Sequence, residues 1–314
     1  MTGVIIARPG LLSTVQDLGR WGSQAVGMPV AGPMDVYAHR LANLLVGNPP
    51  SLATIEATLI GPELIFERGS VVAITGADFD VTLDGAAVPH TASFRVREGQ
   101  HLRFGRRRLG TRAYIGVAGG FETPIVAGSR ATSLVAHLGG HEGRALQAGD
   151  RLPLGVPVEG PVRHRRGAGL TLATGTTILR VMAGPQEEWF GPAALDILRH
   201  GVFRVSPRSN RMGYRLEGAS IPRSTGEEPI SEPVPMGAIQ VPPAGDPILL
   251  MADRQTAGGY PKIATVISAD LPLAGQLAPG DLVGLRICTR HEALTALIAR
   301  ERQVLHVTDT GPLP

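Results

Sequence analysis

Lysine is almost missing from this chain: of 30 basic residues, 29 are arginine and one, Lys262, is lysine. A GC-rich genome alone produces such a bias, so the ratio excludes nothing, but it raises the question of why one position kept its lysine. Aromatic residues are also scarce, at 4%, and the net charge is only +3. Together these argue against a stacking platform for nucleic acid. A single cysteine, Cys288, excludes an intramolecular disulfide and a cysteine-rich metal site. Its setting, LVGLRIC, reads as that of a buried small hydrophobe. No apolar run approaches the roughly 18 residues of a bilayer span. The first residues lack a basic region ahead of their apolar stretch and a small-residue cleavage site after it. The expectation is a soluble cytoplasmic protein with no membrane and no nucleic-acid partner.

What is present is glycine, proline and short apolar segments. With 41 Gly and 26 Pro among 314 residues, turns outweigh long helices, while 43% hydrophobic residues argue against disorder. GPELIFE, GSVVAITG, DVTLDG, ASFRVREG, QHLRFG and RAYIGVAG read as strands bounded by Gly, Pro or Asp. TTILRVMAG, GVFRVSP, YRLEG, GAIQVPPAG, PILLMAD and KIATVIS repeat that texture. Short strands spaced by roughly 8–12 residues indicate a mainly β fold of sandwich or barrel type. Helices are few. The spacing predicts one over 34–46 stopped by Gly47, one from Pro192 to His200 closed by Gly201, and one capped by a Thr289/Glu292 box.

A weak repeat runs through the chain. EGQHLRFG (98–105) and PGDLVGLRI (279–287) close the two halves in the same way, and AGDRLPLG (148–155) echoes them. The predicted organisation is two related β-domains, 1–155 and 177–288, joined by a Gly/Pro/Arg-rich linker at 156–176 and followed by a helix and tail at 289–314.

Several motifs fail on inspection. There is no G-x-x-x-x-G-K-[ST] phosphate loop, and AGSRA (127–131) lacks the second glycine of a nucleophile elbow. Gly139 and Gly140 prevent His137 and His141 from sharing a helical face as zinc ligands. Asp78, Asp80 and Asp84 hint at a calcium loop, but Pro89 stands where its glutamate belongs. The runs Arg106–Arg108 and Arg163–Arg166 read as solvated turns and linker. No metal-ligand set emerges.

Two stretches are polar in ways a fold does not require. STVQDLGRWG (13–22) gathers Gln16, Asp17 and Arg20; it reads equally as a turn, with Asp17 bonding nearby backbone and Gly19 at positive φ. MADRQTAGGYPKIATV (251–266) packs Asp253, Arg254, Gln255, Thr256, Tyr260 and Lys262 around Gly258 and Gly259. Paired glycines allow close backbone approach to a ligand, while Arg and Lys supply charge for an anion. Arg208, Asn210, Arg211 and Tyr214 lie upstream, as do Ser231 and Glu232. Glu232 is either an acid/base or metal-bound carboxylate or an ion-pair or cap residue.

These same segments carry a resemblance over nearly the whole chain. GLLSTVQDLGRWG, VAGPMDVYAHRLANLLVGNPPSLATIEATLIGP, AITGAD, RVMAGPQEEWF, VSPRSNRMGYRLEG and ISEPVPMGAIQVPPAGDPILLMADRQTAGGYPKIATVISADLP resemble, in order, the KipA-like family. That family is also known as allophanate hydrolase subunit 2 or as the C subunit of 5-oxoprolinase. Trp21 departs from it, standing where the family commonly has proline. The resemblance implies two cyclophilin-like β-barrel domains, without implying prolyl isomerase activity. It implies KipI-like and LamB/YcsF-type subunits as partners, the B and A components of a complex that opens 5-oxo-L-proline to L-glutamate using ATP with Mg²⁺. The alternatives it implies are a carboxyltransferase that moves a carboxyl group from biotin, carried on another protein, to urea, and a KipA-type regulatory binding protein. Under the first reading, our role assignment makes Arg254 and Lys262 the groups that neutralise an oxyanion, phosphoryl or carboxyl group. Asp17 or Glu232 serves as base or metal ligand. Gln255, Thr256 and Tyr260 orient a small amide substrate, with Gln16, Arg20, Arg211, Tyr214, Gly258 and Gly259 completing the binding set.

Overall fold

The structure, a computed structural model, describes residues 2–158 and 163–312. The chain divides into two compact units. Unit 1 comprises Met1–Trp21, Ala31–Thr171 and Glu301–Pro314; unit 2 comprises Gly22–Val30 and Leu172–Arg300. The mainly β expectation holds: unit 2 is built on a closed seven-strand barrel and unit 1 on a half-barrel sheet.

The large sheet of unit 1 has nine strands among the described residues: β1 (Gly3–Arg8), β2 (Leu12–Gln16), β3 (Thr54–Thr58), β4 (Glu63–Phe66), β5 (Ser70–Leu83), β6 (Ala86–Ala87), β7 (Ser93–Val96), β8 (His101–Val117) and β9 (Arg151–Pro153). They pair in the order β2-β3-β8-β4-β1-β9, with β5 on β6, β7 and β8. GSVVAITG and DVTLDG, expected as two strands, are one 14-residue strand. QHLRFG and RAYIGVAG likewise fuse into the 17-residue β8, so that Arg106–Arg108 lie within a strand and face solvent rather than forming a turn. The glycine and aspartate signals that look like turns are bulges: the β5–β8 register shifts between Gly76 and Asp78 and twice more before Val81. The ladder bends there without breaking.

Helix α1 (Val36–Leu45) covers this sheet, its start fixed by Asp35, whose carboxylate accepts from Ala38 N at 2.8 Å. Tyr37, Leu41 and Leu45 pack onto Ala73 and Ala118. Gly116 makes the approach possible, since a Cβ there would stand 2.7 Å from the Ala42 carbonyl oxygen. Of the expected linker, residues 159–162 lie outside the described residues. Arg163–Arg166 (β10) is a strand of unit 1 that pairs antiparallel with Thr308–Pro312.

In unit 2 the strands are β11 (Thr177–Ala183), β12 (Val202–Val205), β13 (Gly213–Glu217), β14 (Glu232–Pro233), β15 (Ala238–Gln240), β16 (Ile248–Leu250), β17 (Ala257–Gly258), β18 (Lys262–Val266) and β19 (Leu282–Ile287). The barrel runs β11-β18-β15-β16-β13-β12-β19 and closes through a parallel β19–β11 seam. Leu179, Val181, Phe203, Ile239, Leu249, Ile263 and Val283 are fully buried within these strands. The short ribbon β14–β17 lies outside the barrel order, with Glu232 opposite Gly258. Helix α2 (Pro192–His200) has its proline start and glycine stop. A single turn, α3, spans Leu271–Gly275. Helix α4 (Arg290–Leu305) begins with the expected box: Thr289 N donates to Glu292 Oε2 at 2.7 Å and Glu292 N to Thr289 Oγ1 at 3.2 Å. Cys288 is buried beside Ile267 and Ala269.

The repeat has a concrete form. Gly99, Gly149 and Gly280 all have positive φ, and each donates its N–H to a strand carbonyl (Phe66, Ile6 and Val205) at 2.8 Å. The next side chain then reaches back three residues. Arg97 N donates to Gln100, Gln147 N to Asp150 and Ala278 N to Asp281, at 2.8, 2.7 and 2.8 Å. One turn design is used three times.

Candidate functional site

The residues singled out in the first cluster belong to unit 1, where they clamp a loop. Asp17 accepts from Gly19 N at 2.9 Å, and from Ser129 Oγ and Arg130 N at 2.5 Å each. Arg20 is fully buried and donates to the carbonyls of Val126 and Ala131 at 2.8 Å. Gly139 leaves room for it, because a Cβ there would lie 2.5 Å from Arg20 Nη2. Gln16 donates to Thr14 Oγ1 and the Thr132 carbonyl, while its Oε1 has no partner among the described residues. Trp21 is exposed and donates to the Leu18 carbonyl. These contacts bind 126–132 to the end of β2. Elsewhere in unit 1 a cavity of about 720 Å³ opens beside Ser70, Arg95 and Gln100, and no residue singled out in the sequence lines it.

The second cluster lies in unit 2 and is built differently. Lys262 is the first residue of β18, and its side chain is buried, 3% exposed. Its Nζ donates to Glu232 Oε1 at 2.5 Å. An isolated buried ammonium is strongly disfavoured, and this carboxylate compensates its charge. The attraction acts in both directions: the Lys262 ammonium, and after it Gln186, hold the Glu232 carboxyl below the usual range.

Gln186 is the link between them. Gly184, where a Cβ would stand 2.1 Å from the Lys262 carbonyl oxygen, lets the turn at 184–187 press against β18. The Lys262 backbone N–H donates to Gln186 Oε1 at 3.0 Å, which orients the carboxamide. Its Nε2 is thereby left to donate to Glu232 Oε1 at 2.6 Å. Gln240, buried and opposite Lys262 across β15–β18, donates to the Tyr260 carbonyl at 3.3 Å and accepts from Gln255 Nε2 at 3.4 Å. Gly258 completes the wall, since a Cβ there would meet Gln240 Nε2 at 2.9 Å and Gln255 Nε2 at 3.1 Å.

Arg254 holds the same strap from its other side. Its Nε donates to the Val234 carbonyl at 2.8 Å and Nη1 to that of Met251 at 3.4 Å. Among the described residues no carboxylate lies within ion-pair distance of it. Burial draws its pKa below the ordinary guanidinium value, against the opposing pull of Asp253. Thr256 accepts from Val234 N through its carbonyl at 3.1 Å. Arg211 and Asp253, both buried, form a two-pronged pair at 2.9 and 3.1 Å that fixes the entrance to this loop. Tyr214 is buried in β13, Gly259 faces the Pro229 carbonyl and Ser231, and Tyr260 is exposed.

Glu232, Gln255, Gly258 and Lys262 therefore converge, with Arg254 on the same strap, while Arg211 and Tyr214 belong to the supporting frame. Sequence reasoning missed Gln186 and Gln240. Gln240 carries a signal in hindsight: in the apolar strand AIQV, a carboxamide must find partners or remain unsatisfied. Gln186, alone in a turn, carries none. Among the described residues no group of three or more His, Cys, Asp or Glu is placed to hold a metal ion. The arrangement presents one ammonium, one guanidinium and three carboxamides, a set suited to a small anion that also bears an amide.

Comparison with known proteins adds a lineage to this geometry. A family model described as carboxyltransferase domain, subdomain A and B, matches residues 26–287. The chain is 38% identical over 297 residues to the C subunit of 5-oxoprolinase from Escherichia coli, covering 95% of each. It is 35% identical to the C subunit of 5-oxoprolinase from Haemophilus influenzae, covering 93% of each. Among solved structures, the K. lactis urea amidolyase superposes with a TM-score of 0.90 at 28% identity over 96% of this chain. The chain spans only 20% of that larger protein.

Proposed function

This chain belongs to the carboxyltransferase domain family, subdomain A and B, and on that premise we propose that it is the C subunit of a heteromeric, ATP-dependent 5-oxoprolinase. The observation that carries this reading is the reciprocal match to proteins of that name, over 95% of both chains in one case. A urea amidolyase is matched over only a fifth of its length. The proposed partners are KipI-like and LamB/YcsF-type subunits, the B and A components of the complex.

The chemistry of the unit 2 cluster supports the proposal. Opening a lactam places negative charge on its oxygen, and amide resonance opposes attack at its carbon. A buried ammonium aimed at that oxygen stabilises the charge far more than it would in water. Lys262 supplies this group, paired with Glu232 in the ligand-free chain and with donors left over for the lactam oxygen beside the one it gives a carboxylate, and the carboxamides of Gln240 and Gln255 match the adjacent N–H and C=O of a cyclic amide. Arg254 contributes a second positive charge to the strap. Asp17 has three donors of its own and is not assigned a proton-transfer role.

ATP with Mg²⁺ is used by the complex in this proposal. The unit 2 cluster does not fit a magnesium triphosphate: its carboxylate, Glu232, is already bound to Lys262 and Gln186. No step is therefore assigned to the nucleotide. The decisive experiment reconstitutes the three-protein complex and measures glutamate released from 5-oxo-L-proline with and without ATP. ATP-dependent release is expected. Carboxylation of urea from a biotin carrier, with no glutamate formed, would replace this reading with the carboxyltransferase one, which the likeness to the amidolyase favours.

A further inference from the structure

The Lys262–Glu232 pair is asymmetric. The cation stands on β18, a barrel strand hydrogen-bonded on both sides, and is buried. The anion stands on β14, a two-residue strand, after a stretch (218–231) without helix or strand, and its side chain is 36% exposed. Should the pair separate, the carboxylate is the partner with freedom to move.

Hydrogen-bond inventory points the same way. An ammonium has three donors, and among the described residues Glu232 Oε1 is the only acceptor that Lys262 Nζ meets. Glu232 Oε1 takes both Lys262 and Gln186, while its Oε2 accepts nothing among the described residues. Lys262 is thus compensated in charge but under-used in hydrogen bonding. Removing Glu232 without replacement would leave a buried, unpaired cation. Exchanging it for another carboxylate would preserve charge balance and could satisfy the spare donors. Gly258, opposite Glu232, presents no side chain to such a group, and the carboxamides of Gln240 and Gln255 pack directly against it, their nitrogens 2.9 and 3.1 Å from where a Cβ would stand.

We propose that Glu232 is a resident stand-in for a ligand carboxylate, and that the site takes small amides bearing a carboxylate, which displace Glu232 from Lys262. No covalent bond changes; one carboxylate leaves the ammonium as another arrives. A neutral amide such as urea cannot make this exchange, so the device selects by charge. The inference rests on reading the unit 2 cluster as the substrate site.

The test uses the full chain in calorimetric titrations near neutral pH with acetate, 5-oxo-L-proline and 2-pyrrolidinone, the same ring without its carboxylate. Glu232→Gln removes the competing charge and should tighten acetate and 5-oxo-L-proline by about tenfold while leaving 2-pyrrolidinone unchanged. Lys262→Met should abolish the carboxylate-dependent part. Gln186→Leu, which loosens Glu232 without altering charge, should tighten both carboxylates by a smaller factor and stands in if Glu232→Gln fails to fold. Equal or weaker carboxylate binding in folded Glu232→Gln, or in Gln186→Leu where that variant stands in, would overturn the proposal. Turnover separates the two readings. Tighter carboxylate binding with no glutamate from the reconstituted complex sinks the 5-oxoprolinase assignment alone. Glutamate formation without tightening sinks the exchange alone.

Discussion

Two clusters in this molecule look alike on paper and differ in what their side chains hold. At 16–20 an acid, an amide and an arginine turn to the backbone. Asp17 takes two main-chain N–H groups and a serine, and Arg20 gives itself to two carbonyls. At 232–262 an acid, amides and a lysine turn mainly to one another. A side chain committed to backbone is part of the architecture, because the groups it satisfies cannot leave. A side chain committed to another side chain can change partners at the cost of one rearrangement, and spare donors give it a reason to do so. Polar density marks both clusters; the identity of the partner separates them.

The largest expected effect lies at the exchangeable cluster. Lys262→Met should reduce glutamate formation by the reconstituted complex to background while co-purification of its three proteins persists; unchanged turnover would remove the distinction between the clusters. The architectural cluster should answer in stability instead. Arg20→Met leaves two buried carbonyls without their donor and should cost about 3 kcal/mol in urea titrations. A loss of turnover without loss of stability there would show that the first cluster also does chemistry.

Acid should also find unit 1. His39 is fully buried in α1, its Nδ1 paired with Thr54 Oγ1 at 2.9 Å, and burial draws its pKa down to about 4, against opposing carboxylates. The unfolded chain takes up this proton near pH 6.5 and the folded chain only near 4. Stability is therefore complete above pH 6.5 and falls as pH drops toward 4, by about 3 kcal/mol in all. Urea titrations of the wild type and His39→Gln across that window should show the slope in the wild type and lose most of it in the variant. The smallest effect belongs to a turn. Asp281→Ala removes a backbone-directed acid and should cost about 1 kcal/mol with turnover unchanged, extending the rule about partners beyond the two clusters.

Local signals in the sequence translated well into structure. The Thr289/Glu292 box, the proline and glycine around α2 and the three-residue side-chain brackets of the Gly-acid/amide turns are decided within a few residues, so sequence spacing contains their cause. Bends were less legible. Gly76 and the arginine run at 106–108 interrupt the apolar alternation as a turn would, and only the partner strand reveals that the ladder continues. The linker expected at 156–176 contains a strand for the same reason, since its partner strand is distant: Asp309, which forms an ion pair with Arg163, stands 146 positions later. Within the site, 253–262 announced itself through density. Gln186 could not, because its importance comes from standing beside Lys262, 76 positions later.

The parallel seam that closes the barrel has a consequence in time. Thr177 pairs with Val283 and Val181 with Ile287, so each contact spans 106 residues. During synthesis, β11 emerges with both edges unpaired; β18 takes one, and the other waits for β19, the last strand of its barrel. Closing so long a loop is an entropic toll taken late, and an open strand edge meanwhile is a template for the wrong neighbour. Chains truncated before Leu282 should therefore aggregate, and refolding of unit 2 should be limited by the formation of this one seam.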